Sequence, residues 1–112
     1  MILWHVVRPH AEDDIDAQVD YYEQQAGIEV AAKFLSSLKA GIAFLYKTPF
    51  AGAPLLSRSG KLRELRSWPV PDFEDTRIYY LLPDDQSIRI IRVLHGKRNV
   101  KRILDKQDLN TL

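Results

Sequence analysis

The sequence has no cysteine among its 112 residues, only three histidines, and no apolar run long enough to cross a bilayer. Without cysteine, neither a disulfide framework nor a thiolate metal site can form, and only three histidines, at positions 5, 10 and 95, argue against a zinc site. The start Met1–His5 lacks the basic-then-apolar pattern of an export signal. We therefore expect a cytoplasmic protein with no membrane contact, no metal and no cofactor.

The length of the chain and its charge distribution indicate its domain organisation and possible partners. A chain of this length corresponds to one domain, so we expect a single domain over residues 1–112. The formal net charge of +1 is unevenly distributed, because residues 1–56 carry four Lys/Arg against seven Asp/Glu (−3) and residues 57–112 carry twelve against eight (+4). The basic second half could attract nucleic acid or an acidic protein segment, although a solvated charged face explains the same asymmetry without any partner.

The first half of the chain shows the apolar spacing of two helices. The first predicted helix ends at Gly27 and has its apolar positions at Ala11, Ile15, Val19, Tyr22 and Ala26. The second is closed by Thr48-Pro49 and has its apolar positions at Ile28, Ala31, Leu35, Leu38, Ile42 and Leu45. A joint this short predicts an antiparallel helical hairpin.

Two features of the first helix have both a structural and a functional interpretation. Its early carboxylates, Glu12, Asp13, Asp14 and Asp16, could form a metal or acid/base cluster. Dipole complementarity and a solvated face account for them equally simply, and we favour that interpretation. For Tyr21 and Tyr22 we favour packing over a stacking platform, because at least one lies on the apolar stripe.

Four strands are predicted around this hairpin. The first is Ile2 to Arg8, stopped by Pro9, and the others form a meander at Leu62 to Trp68, Thr76 to Leu82 and Ile88 to His95. Pro69 and Pro71 argue against a regular ladder between the first two meander strands. A short last helix is predicted at Val100 to Leu104. The expected fold class is α+β: an antiparallel sheet, made of the N-terminal strand and the three-stranded meander, packed against the N-terminal helical hairpin.

Basic residues cluster near the predicted strand ends. The last strand runs into His95, Gly96, Lys97 and Arg98, and glycine permits a sharp turn there. If Arg63, Arg77, His95 and Arg98 converge, they form a basic concavity that could hold a phosphate or a carboxylate. Arginines at sheet edges also discourage unwanted strand pairing, and that interpretation needs no ligand.

Four segments in this order resemble the RelE/ParE superfamily of bacterial toxins, and most closely its ParE branch. They are Leu62-Arg63-Glu64-Leu65-Arg66-Ser67-Trp68-Pro69, Arg77-Ile78-Tyr79-Tyr80, Arg92-Val93-Leu94-His95-Gly96-Lys97-Arg98 and Val100-Lys101-Arg102-Ile103-Leu104. The resemblance implies the toxin of a type II toxin–antitoxin system, neutralised by a small ParD-like antitoxin with an extended, partly disordered tail. It also implies that the basic second half contacts the target or the antitoxin through Arg66, Arg92, Lys97, Arg98, Lys101 and Arg102.

The superfamily has two activities. RelE-like members cut messenger RNA on the ribosome without metal, using basic residues and usually a tyrosine near the chain end, whereas ParE-like members poison DNA gyrase. By this resemblance Arg77 and Arg98 lie at phosphate-contacting positions, but Leu104 lies where the tyrosine would be. Leucine cannot transfer a proton, so the resemblance favours a gyrase inhibitor with no chemical step.

Two alternatives remain open. One is a ribonuclease in which Arg63, Arg77 and Arg98 hold the scissile phosphate and His95 acts as acid or base. The other is a non-toxic module that only binds the antitoxin.

Overall fold

The computed structural model describes residues 4–54, 65–82, 88–96 and 102–104. A short 3-10 helix at Trp4–Val6 precedes two long helices, α1 (Pro9–Ala26) and α2 (Ile28–Lys47). Four strands follow, which are β1 (Ala53–Pro54), β2 (Arg66–Val70), β3 (Phe73–Leu81) and β4 (Arg89–His95). Residues 102–104 are helical. The α+β fold class and the helical hairpin are confirmed.

The two helices meet at a single residue, Gly27, whose φ of 96° is costly for any residue with a side chain. This glycine lets the chain reverse between α1 and α2 with no intervening loop. The apolar stripe of α2 faces the core through Phe34, Leu38, Ile42 and Leu45, all buried. The spacing of apolar residues in the sequence therefore located both helices correctly.

The sheet has the order β1-β2-β3-β4, and every neighbouring pair is antiparallel. The prediction of a regular strand from Ile2 to Arg8 is wrong for the residues that the structure describes. Residues 4–6 form the 3-10 helix, and only Val7 makes an isolated parallel bridge, to Ile90 of β4. Pro9 has no amide hydrogen for a ladder and starts α1, so strand pairing cannot continue beyond Arg8. The fourth strand is instead β1.

The connection between β2 and β3 differs from the prediction. Pro69 lies within β2 and pairs with Arg77 of β3, and the strands join through the tight turn Pro71-Asp72. Asp72 has a φ of 65°, a conformation that the short side chain of aspartate tolerates. Pro69 is accommodated because β1 pairs with Arg66 and Ser67, and within the described ranges no strand lies beside Pro69 on that side.

Apolar side chains pack on both faces of the sheet. The larger cluster lies between the helices and the sheet and includes Phe34, Ile78, Tyr80, Ile90 and Val93. The smaller cluster lies on the opposite face and consists of Leu65, Tyr79, Ile91, Leu94 and Leu104, with Leu81 and Ile103 packed against it. Alternation along β3 therefore places Tyr79 and Leu81 on the face opposite the helices, and Ile78 and Tyr80 on the face towards them.

Candidate functional site

Arg77 lies on the sheet face opposite the helices. Its register partner on β4 is Leu94, a member of the smaller cluster. Its Nε and Nη2 donate to the Ser67 hydroxyl at 3.2 and 3.0 Å. Within the described ranges Arg77 forms no salt bridge, so its positive charge is not neutralised by a carboxylate there. A guanidinium in this state can bind an anionic group of a partner or a substrate.

Tyr79 follows Arg77 on the same face, but it is only 5% exposed. Burial raises the pKa of its phenol above the ordinary value, and the positive charge of Arg77 opposes this rise only in part. Burial likewise raises the pKa of Tyr80 on the helix side of the sheet, where its hydroxyl accepts from Gly52 N at 2.9 Å and donates to Pro49 O at 2.7 Å. Both phenols are protonated throughout the physiological pH range.

These raised pKa values predict a loss of stability in alkali. The native protein holds the two phenolic protons more tightly than the unfolded chain does, so the free energy of unfolding falls as pH rises past the ordinary phenol value of 10.0. We expect Tyr79→Phe to show a smaller loss between pH 9 and pH 11 than the wild type, measured by urea denaturation at each pH. An identical pH dependence in the two proteins would contradict the assignment to Tyr79.

His95 faces the helices, on the opposite side of the sheet from Arg77. It pairs with Thr76, whose hydroxyl donates to Gln18 Oε1 of α1 at 3.0 Å. His95 lines a pocket of about 360 Å³ together with Gln18, Tyr21 and Tyr22. The structure therefore does not bring His95 and Arg77 together in one concavity.

Arg92 is directed to α1 and forms a buried ion pair with Asp14. Its Nε and Nη2 donate to the two carboxylate oxygens of Asp14 at 2.7 and 2.8 Å, and Val93 N donates to the same carboxylate at 3.0 Å. The hydrogen bond to Asp14 is the main reason that the pKa of Arg92 is raised. This arginine, predicted as a partner contact, has an intramolecular role in the structure.

The helix α1 thereby covers the open edge of β4. Gln18 Nε2 donates to Val93 O at 2.8 Å, and Asp14 accepts from Val93 N, so both backbone groups of this edge residue are paired. Arg8 N donates to Ile90 O at 2.9 Å further along the same edge. A covered edge cannot pair with another chain, which is one way that proteins avoid edge-to-edge aggregation.

The sequence interpretation of Asp14 as a solvated carboxylate is wrong, since Asp14 is 8% exposed. The position of Asp14 along the helix was the sequence signal that could have indicated its burial. Asp14 and Gln18 follow Ala11 by three and seven residues, which places both on the stripe that faces the sheet. Of the two tyrosines, Tyr22 packs against Phe34 and Phe73 as expected, whereas Tyr21 is exposed.

Arg66 also has an intramolecular role. Its Nη1 donates to Gly52 O at 2.8 Å and to Phe50 O at 3.3 Å, and its guanidinium lies 5.1 Å from the centre of the Phe50 ring. It holds the segment after α2 against β2, so the structure does not present it as an unengaged partner contact.

Leu104 is 1% exposed and belongs to the smaller cluster, together with Tyr79 and Leu94. Arg102, on the same helical segment, is exposed. The other predicted site residues, Arg63, Lys97, Arg98 and Lys101, lie outside the described residues. Of the predicted cations that the structure describes, Arg77 forms no salt bridge with a described carboxylate, and Arg102 is exposed.

Among the described residues, no group of three or more metal-ligating side chains comes together. No helix in that part of the chain has both the length and the hydrophobicity that a membrane span requires.

Among known protein families, the one described as the ParE toxin of type II toxin–antitoxin systems, parDE, matches residues 6–100. The match covers α1, α2 and all four strands. A search of curated proteins found no match.

Proposed function

The chain belongs to the ParE toxin family of type II toxin–antitoxin systems, and we propose that it arrests growth by binding DNA gyrase and blocking DNA supercoiling. In this proposal it acts in the cytoplasm, where it blocks replication, and a cognate ParD-like antitoxin neutralises it. No chemical step is assigned to the toxin, so its effect depends on binding alone.

The observation that carries this proposal is the environment of Leu104. In RelE-like ribonucleases a tyrosine for proton transfer is expected at this position, and here a leucine is buried against Tyr79 and Leu94. Losing a positioned general acid or base typically costs about 10²- to 10⁴-fold in rate. His95 does not replace it beside Arg77, because the two side chains lie on opposite faces of the sheet.

The sheet face that carries Arg77, together with the exposed Arg102, supplies the positive charge for the contact. Arg77 forms no salt bridge within the described residues, and Arg102 is exposed. Positive surface charge speeds association with an acidic partner and fixes its orientation more than it raises affinity. We include Lys97, Arg98 and Lys101 in the proposed contact on sequence grounds.

Purified toxin added to a gyrase supercoiling assay tests the proposal. We expect inhibition at stoichiometric to micromolar toxin, and about tenfold weaker inhibition by Arg102→Glu. Lys33→Glu is the matched control, because Lys33 is exposed on α2 and its reversal changes the net charge equally. Supercoiling that continues unaffected at micromolar excess of wild-type toxin would count against gyrase as the target.

The ribonuclease alternative retains one favourable observation, which is that Arg77 forms no salt bridge with a described carboxylate. A guanidinium in this state fits metal-free phosphate cleavage, with Arg63 and Arg98 as further phosphate contacts. In this case, translating ribosomes programmed with defined messenger RNA are cut by the wild type and left intact by Arg77→Glu. Uncut messenger RNA in cells that are nevertheless poisoned would eliminate this alternative.

A non-toxic antitoxin-binding module is distinguished by expression alone. Cells that grow normally while they produce the folded chain without its antitoxin would favour this role over both toxic ones.

A further inference from the structure

Two exposed phenylalanine rings lie where the end of α2 meets β2. Phe44 is 43% exposed and Phe50 is 73% exposed. Each ring rests on a side chain of β2. Phe44 stacks on Trp68, with 5.1 Å between the ring centres and 25° between the ring planes, and the guanidinium carbon of Arg66 lies 5.1 Å from the centre of the Phe50 ring. Exposed apolar side chains that cluster in this way, rather than being scattered singly, mark binding surfaces.

The two supporting side chains are themselves fixed in place. Trp68 packs against the main core. Arg66 Nη1 donates to Gly52 O at 2.8 Å and to Phe50 O at 3.3 Å. The rings are therefore oriented before any ligand arrives, and a preorganised side chain loses less conformational entropy on binding.

The spacing of the two supports matches a nucleic acid strand. Arg66 and Trp68 are two residues apart in β2 and so lie on the same face, about 6.6 Å from each other along the strand. Their register partners, Tyr80 and Ile78, both belong to the main core. Bases of one strand lie about 3.4 Å apart when stacked, so a strand that opens to admit a side chain between two bases needs about 6.8 Å.

The charge around the two rings is positive. Lys47 is exposed and follows Phe44 by three residues, which places the two side by side on α2. Arg66 donates to neutral carbonyl groups, which leave its charge uncompensated. The described residues between Val30 and Val70 include no aspartate or glutamate. Surfaces that bind single-stranded nucleic acid combine cations and exposed aromatic rings in this way.

We propose that this aromatic surface, formed by Phe44, Lys47, Phe50, Arg66 and Trp68, binds a short unpaired stretch of nucleic acid. Two neighbouring bases stack on the exposed rings of Phe44 and Phe50, and the two cations attract the phosphates. Such binding tolerates any base sequence, because every base has a flat π face. This activity goes beyond the proposed contact with gyrase, which uses Arg77 and the end of the chain.

A protein segment is a less suitable occupant of the aromatic surface. Pro69 lies between the two supports and has no amide hydrogen, so this edge of β2 does not offer a regular ladder to an added strand. The apolar side chains that dominate protein interfaces fill well-packed pockets, whereas the two phenylalanine rings stand exposed. Exposed rings suit the flat faces of bases.

Fluorescence anisotropy of a labelled single-stranded probe of about twelve nucleotides tests the proposal, with DNA and RNA forms titrated separately. We expect Phe50→Ala to weaken binding about tenfold, because it removes one stacking ring. Tyr21→Ala is the matched control, since Tyr21 is 60% exposed on the acidic helix α1, and it should change binding less than about twofold. Binding of either form supports the proposal and identifies the strand. Equal effects of the two substitutions would overturn it.

The role of Lys47 is tested by the salt dependence of binding. Lys47→Gln should weaken binding about threefold at low salt and reduce the slope of log affinity against log salt concentration by about 0.7. Gln24→Glu changes the net charge equally at an exposed position of α1, and it should leave the slope unchanged. Identical slopes for Lys47→Gln and the wild type would contradict a phosphate contact at Lys47.

A probe that keeps its phosphates but lacks its bases separates stacking from charge attraction. The wild type should bind this abasic probe about tenfold more weakly than the complete one. Phe50→Ala should bind the abasic probe as well as the wild type does, because no base remains to stack. Equal affinity of the wild type for both probes would overturn the proposal, as would equally tight binding of a duplex, whose bases are not free to stack on the rings.

Vesicles rich in anionic lipid provide the last comparison, because exposed rings beside cations also suit a lipid surface. We expect the wild type and Phe50→Ala to sediment equally with such vesicles. Vesicle binding that Phe50→Ala loses, with no binding of the single-stranded probe by the wild type, would assign the surface to a membrane and overturn the proposal. No readout involves gyrase, so failure to inhibit supercoiling would leave these results standing.

Discussion

Replacing Asp14 with alanine is expected to lower the free energy of unfolding by about 3–5 kcal/mol, because it leaves the guanidinium of Arg92 buried without its carboxylate. The substitution removes other interactions besides this ion pair. Val93 N also donates to Asp14, so its edge amide loses its acceptor, and α1 loses one of the two side chains that hold it on β4. Urea denaturation monitored by circular dichroism measures the change.

Asp13→Ala is the matched control for this prediction. Asp13 is an exposed neighbour of the same charge on the same helix, and its removal should change stability by less than about 0.5 kcal/mol. The double replacement Asp14→Leu/Arg92→Met removes both charges and should recover much of the loss. A small effect of Asp14→Ala, similar to that of the control, would mean that the ion pair does not hold α1 on the sheet.

Phe34→Ala is expected to cost about 3–5 kcal/mol, since it opens a cavity in the centre of the main core. Phe34 is fully buried in α2, and its ring centre lies 5.1 Å from that of Tyr22 and 5.3 Å from that of Phe73. These rings join α1, α2 and the start of β3. The midpoint of urea denaturation should therefore fall sharply, and growth inhibition at 37 °C should fall with it.

Phe50→Ala removes the same side chain from the surface. Phe50 is 73% exposed and its ring contacts Arg66, so its loss should cost no more than about 1 kcal/mol. Comparable losses at the two positions would contradict the assignment of Phe34 to the core.

The helical half of the fold could be predicted from the sequence because its signal is local. The apolar spacing fixed both helices to within a few residues, and Gly27 marked their joint. The N-terminal strand could not be predicted in the same way. An apolar pair such as Val6-Val7 is compatible with either a strand or a short bridge. Which of the two forms depends on where α1 packs in the tertiary structure. The pairing of Ala53–Pro54 with β2 likewise depends on contacts far along the chain.

In the candidate site, too, features that depend on local sequence could be predicted and features that depend on long-range contacts could not. Arg77 and Tyr79 lie two residues apart in one strand, so their common face follows from the side-chain period of a strand, which is local. The position of His95 relative to Arg77 depends on the register between β3 and β4, which shifts at Tyr79/Tyr80. The pairing of Asp14 with Arg92 joins residues far apart in sequence, so helical position could place Asp14 on the face towards the sheet but could not name its partner.

The most direct test of gyrase as the target is the order of events after the chain is induced in bacteria without its antitoxin. A reporter of the DNA-damage response and the incorporation of a labelled amino acid are followed in the same culture. The account predicts that the DNA-damage response rises while protein synthesis continues. Protein synthesis that stops first, with no preceding DNA-damage response, would contradict it.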